Sequence, residues 1–275
     1  MRDSEFREYF DNYDKIALIA IKLIDNAKGF IEYQNRNTIA YAAFDKLTIT
    51  FISVTKIVFP YKSEIFDISS LSSLSRNIIE LSNNLFFFGS ESADKEEDSL
   101  RFDLFQYLSK KERQQAARKL DVNDKLLSEW ELKDSDLIAI KNRIISNPVF
   151  VKLILSNKIQ GFDSLINDND RNNKYWSRTD LLKRRNLNLK FMDSLYKLHS
   201  IDIHGTPASI DMQIQSYFNK EYLDCNDSKS QVIAIMQSIA SIFVNSLFDF
   251  SKILPDLTGI ITTEEMIFLR NYEYK

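Results

Sequence analysis

Asp67-Ile-Ser-Ser-Leu-Ser-Ser-Leu-Ser-Arg-Asn-Ile-Ile-Glu-Leu-Ser-Asn-Asn-Leu-Phe-Phe-Phe-Gly89 decides the fold class. From Ile68 onward, apolar residues return at Leu71, Leu74, Ile78, Leu81, Leu85 and Phe88. That three-or-four spacing lines one face of an α-helix. Ile79, Phe86 and Phe87 fall off the stripe, so the helix is apolar on more than one side and belongs at the centre of its fold. Asp67 reads as its N-cap and Gly89 as its stop.

The same period extends outward in both directions. Ser4–Tyr33 and Asn37–Val58 read as long helices, the second ending before Pro60. Ser90–Asp98 is charged and small-residue-rich and reads as a solvated loop; Ser99–Leu120 and Asp134–Asn147 resume the helical pattern, and Val149–Lys158 follows Pro148. A short helix opens at Ser177–Asp180, Asn186–His204 forms another that Gly205 and Pro207 stop, and Ser228–Leu254 is a long one bounded by Pro255. With 5 glycines and 4 prolines in 275 residues, the tight turns a sheet requires are scarce. The chain is predicted to be all-α, a bundle of about eight to ten helices. It is read as a single helical domain over 1–275, with 90–147 as a peripheral helical arm.

Composition excludes several functions. A net charge of −3 speaks against a broad nucleic-acid footprint, though not against a local basic patch. Cys225 is the single cysteine, which rules out an internal disulfide or a multi-cysteine metal cluster, and cytosolic residence is expected. Thr38–Phe59 and Gln231–Phe248 are long and apolar, but charges interrupt the first and polar side chains punctuate the second. Both are read as buried core helices, and no membrane partner is expected. Glycine-rich phosphate loops, a serine nucleophile elbow and a His-Glu-x-x-His motif are all absent, and no cofactor or metal is expected.

Acid–base chemistry has one address. Both histidines, His199 and His204, fall within Leu195–Ser209. At helical spacing Tyr196, Ser200 and His204 share a face, placing a phenol, a hydroxyl and an imidazole in a row. His204 is a candidate general acid or base; alternatively, it sits in the last helical turn and simply caps exposed carbonyls. His199 reads as a packing residue. Arg76 and Glu80 are spaced i, i+4 away from the main apolar stripe of their helix. They are either site residues, a buried pair between helices, or a surface ion pair in the weaker orientation, worth a few tenths of a kcal/mol. Lys174, Arg178, Lys183, Arg184, Arg185 and Lys190 precede the His204 helix and could steer a phosphate towards it, or could simply be solvated.

Two of these motifs, Arg76-Asn-Ile-Ile-Glu80 and the Tyr196–Pro207 segment, resemble the bacterial helical family DUF5677. That family carries an Arg-x-x-x-Glu helix and a Tyr-x-x-Leu-Ser-x-x-x-His-x-x-Pro-like segment. Here His199-Ser200 stands where the pattern has Leu-Ser. The family is broadly similar to the HEPN helical proteins, many of them ribonuclease toxins or phage-defence components. The resemblance implies RNA as a partner, a homodimer, His204 as general acid or base, and Glu80 orienting Arg76. HEPN nucleases place an arginine four to six residues before the histidine, and this chain has none there. Arg76 would have to arrive from another helix, or Lys197 stand in; Tyr196, Lys197, Ser200, Arg184 and Arg185 would hold substrate. The competing expectation is a non-catalytic protein-interaction module in which Arg76, Glu80 and His204 form a structural polar network.

Overall fold

The computed structural model describes residues 3–28, 36–58, 68–120, 122–167, 170, 172–188, 192, 194, 196–197, 225–253 and 260–273. The protein is all-α, and among the described residues there is no strand. The chain divides into two compact units, Met1–Ser90 with Arg185–Lys275, and Glu91–Arg184. The second is continuous in sequence and interrupts the first. Apart from Ser90, the arm expected over 90–147 lies in the second unit, which runs on to Arg184.

In the first unit, α1 (Asp3–Ala27), α2 (Arg36–Val58), α3 (Ile68–Asn84) and α10 (Cys225–Ser251) pack against one another. Their interface is aromatic. Tyr13 of α1 stacks on Phe51 of α2 at 3.7 Å between ring centroids, and Phe51 stacks on Phe243 of α10 at 4.0 Å. Phe44 stacks on Phe250 at 4.3 Å. The rings form a continuous column through the core. It strands one polar atom, the Tyr13 hydroxyl, which is buried and unpartnered.

The central helix follows its sequence reading with one change. From Leu85 to Ser90 the backbone widens into a π-helix. Gly89 explains what fits there, since a Cβ on it would stand 2.6 Å from the Ala40 Cβ. The two helices approach backbone to backbone at that point. The Phe88 carbonyl accepts from Arg36 Nε at 3.0 Å. Small residues let α3 lie close elsewhere: Ser72, Ser75 and Ser82 are all buried.

Val232–Ser251 within α10 is the one candidate among the described residues long and apolar enough to cross a membrane. In the protein 67% of that window is buried, as the sequence reading of a core helix expects. The unit ends with α11 (Thr263–Arg270), which the periodicity did not reveal. Thr262 and Glu265 cap it reciprocally, and it lies on α1 through Lys22 with Glu265 (3.2 Å) and Lys15 over the Phe268 ring (4.1 Å).

The second unit contains α4 (Lys95–Lys119), α5 (Asp124–Glu129), α6 (Asp134–Ser146), α7 (Pro148–Leu155), α8 (Phe162–Leu165) and α9 (Arg178–Arg184). Helix α4 begins earlier than expected, inside the stretch read as a loop. Asp94 accepts from the Glu97 amide, and Glu96, Glu97 and Asp98 fill the first turn. The acids that suggested a solvated loop favour a helix N-terminus. Asn147 similarly caps α7 ahead of Pro148.

Candidate functional site

Arg76 and Glu80 lie one turn apart on the outward side of α3. Arg76 Nε donates to Glu80 Oε1 at 3.0 Å. Tyr196 arrives from the segment after α9, and its hydroxyl donates to the same oxygen at 3.0 Å. Its ring lies under the guanidinium, 4.7 Å from Cζ to centroid. Three residues named from the sequence therefore meet, across 116 positions of chain. The Glu80 hydrogen bond raises the Arg76 pKa above its ordinary value; burial opposes it, and Tyr196 adds to the rise. Glu80 Oε1 thus takes a hydrogen bond from both the guanidinium and the phenol.

Lys197 is exposed beside it. Ser200 and His204 lie outside the described residues, as does His199, so the Tyr196–Ser200–His204 face is described at its first member only.

Arg184 and Arg185 do not form a solvated basic patch. One peptide bond apart, they belong to different units, and each turns inward. In the second unit Arg184 meets Glu91 at 2.8 Å and donates to the Tyr175 carbonyl at 2.6 Å. Glu91 also accepts from Arg101 at 2.9 Å, and Arg101 pairs with Glu97 at 2.5 Å. The Tyr175 hydroxyl completes the cluster by donating to Glu97 at 3.0 Å. Burial lowers the Arg184 pKa and pushes the Tyr175 phenol well above its ordinary value. The ion pair joins the first residue of this unit to its last.

Arg185 is a deeply buried cation of the first unit, with 3% of its side chain exposed. Nη2 pairs with Asp249 of α10 at 3.1 Å, and Nη1 donates to Ser82 Oγ at 2.8 Å and Asn83 Oδ1 at 3.3 Å. Ser82 and Ser246 hydroxyls are 2.6 Å apart, and Ser246 donates to the Ile242 carbonyl. With Ser82 accepting from Arg185, its proton goes to Ser246, and both hydroxyl hydrogens have an acceptor. The Phe86 ring lies 5.5 Å from the guanidinium. Burial lowers the Arg185 pKa, and Asp249 opposes that effect.

Sequence reasoning missed Asp249, Ser82, Asn83 and Ser246 as partners. A signal existed for one of them: Asp249 is the first charge after the uncharged run 231–248. A lone carboxylate on a core helix calls for a buried cation. Among the described residues, no group of three or more His, Cys, Asp or Glu is placed to hold a metal ion.

No family model matches the chain, and neither a curated protein nor a solved structure does.

Proposed function

We propose that the chain is a non-catalytic helical protein-interaction module, in which Arg76, Glu80 and Tyr196 fasten the Tyr196 segment to α3. One observation carries this reading: each arginine named for the site is paired with a carboxylate of its own unit. Arg76 is on Glu80, Arg184 on Glu91 and Arg185 on Asp249. A phosphate backbone approaching Arg76 would meet Glu80 at the same place, and the pair offers no excess positive charge. A cytosolic setting goes with this reading, since Cys225 has no partner for a disulfide within the chain.

The test uses Arg76→Ala, Glu80→Gln and Tyr196→Phe. Under this reading each loosens the Tyr196 segment, seen as faster amide exchange near residues 192–197, while retention on labelled RNA stays at the wild-type level. RNA binding at physiological salt that Arg76→Ala abolishes, with exchange unchanged, would sink it.

A second reading is favoured by the arrival of Tyr196 on Arg76, since that segment leads to His204. In it the protein is a HEPN-like, RNA-cleaving component of bacterial stress or phage defence. Incubating wild type and His204→Ala with total RNA decides between the two. Cleavage by the wild type and none by the variant would establish the nuclease, and equal lack of cleavage leaves the interaction module.

A further inference from the structure

Helix α7 is Pro-Val-Phe-Val-Lys-Leu-Ile-Leu, apolar on all sides apart from Lys152. Only Phe150 and Leu153 are buried in the second unit. Val151 is 47% exposed, Ile154 37% and Leu155 78%, and Ile145, just before the cap, is 39% exposed. A helix apolar all round is ordinarily covered on all sides, and contiguous exposed aliphatics of this kind mark interaction surfaces. The charge carried by the segment itself has one sign. From Ile144 to Phe162 the sequence holds no Asp or Glu, while Lys152 and Lys158 are exposed and neither meets a carboxylate among the described residues. Asn147 touches Glu96 at the N-terminal end, but through its backbone carbonyl.

We propose that α7 is a docking surface for an acidic amphipathic helix of a protein partner, with the partner's aliphatic face on Val151, Ile154 and Leu155 and its carboxylates on Lys152 and Lys158. This rests on the interaction-module reading and names its partner chemistry. Two other occupants fit less well. In a symmetric contact with a second copy, the patch would meet itself and oppose its lysines to one another. On an anionic bilayer each lysine adds only about a five-fold preference. Three partly exposed aliphatics bury less than a single acyl chain, which by itself gives only marginal binding. A helical partner can bring large side chains and opposite charge together on this patch.

The experiment titrates the full chain with two fluorescent peptides of equal length, each leucine on one face, one flanked by glutamates and the other by lysines. The glutamate peptide is expected to bind at least ten-fold more tightly, and the preference to shrink as salt rises. Ile154→Ser with Leu155→Ser, at exposed positions, should remove binding with the helical CD spectrum kept. Lys152→Glu with Lys158→Glu should reverse the preference. Equal affinity for the two peptides, no binding of the glutamate peptide, or binding that the serine variant leaves intact would overturn the proposal. So would retention on phosphatidylserine vesicles in place of peptide, or a dimer that the serine variant dissociates. RNA cleavage lost in His204→Ala would instead refute the interaction-module reading, and the two failures are read in separate assays.

Discussion

Asp249→Ala is expected to be among the most damaging single changes available in the first unit. It leaves Arg185, 3% exposed, without its counter-charge. What remains around the guanidinium is neutral: Ser82 at 2.8 Å, Asn83 at 3.3 Å, Ser246 at 3.5 Å and the Phe86 ring. Removing one partner of a buried pair costs about 3–5 kcal/mol. Arg185→Met is milder, because Asp249 is 11% exposed and keeps Lys252 at 3.1 Å. Its cost is about 1–3 kcal/mol, the range for a stranded buried polar group. In Arg185→Met with Asp249→Ala the costs should not add, and the shortfall is about 1–3 kcal/mol. At roughly 2–4 °C per kcal/mol for a unit of this size, Asp249→Ala lowers Tm by on the order of 6–20 °C. The cycle is measured by denaturant unfolding on far-UV CD. Tryptophan emission is the control, since Trp130 and Trp176 both lie in the second unit. A cost for Asp249→Ala below about 1 kcal/mol, a larger cost for Arg185→Met, or a loss seen only in tryptophan emission would refute the reasoning.

Gly89→Ala drives a methyl to 2.6 Å from the Ala40 Cβ and should cost about 1–3 kcal/mol, with Ala40→Gly recovering part of it in the double variant. Tyr13→Phe deletes a buried hydroxyl that has no partner, so it should raise stability, by about 1 kcal/mol in chemical denaturation. Glu265 is held below its ordinary pKa of 4.5, first by the Thr262 amide and then by Lys22. A carboxyl whose folded pKa is lowered stabilises fully above the unfolded value, so this contribution is intact above about pH 4.5 and fades as pH falls through the lowered folded value. Amide exchange in α11 should therefore quicken on acidification from pH 5 to pH 3, and in Glu265→Gln at neutral pH; identical pH profiles for wild type and Glu265→Gln would contradict this.

Local patterns were legible wherever one helix face decided the matter. The stripe from Ile68 to Phe88 marked a central helix, and the uncharged 231–248 run marked a buried one, because burial there depends on residues within a few turns. The close approach at Gly89 was not legible: it involves Ala40 on another helix. Arg184 and Arg185 looked like a solvated helix end, since their sequence neighbours are basic and polar. Their orientation is decided by Glu91, 93 positions earlier, and by Asp249 on the far side of the chain. The Arg76–Glu80 pair could be read from its spacing, and Tyr196 was named on its own helix. That the two would meet depends on a tertiary path that no periodicity contains.

The interruption of the first unit by the second also sets a timetable for synthesis. Glu91–Arg184 emerges from the ribosome as an uninterrupted segment and can complete its packing on arrival. Phe44 and Phe51 leave earlier but have to wait for Phe243 and Phe250, the rings that cover them. At about 5–20 residues per second, that delay is on the order of ten to forty seconds. Through that interval the apolar faces of α2 and α3 await α10, the helix that packs on both of them.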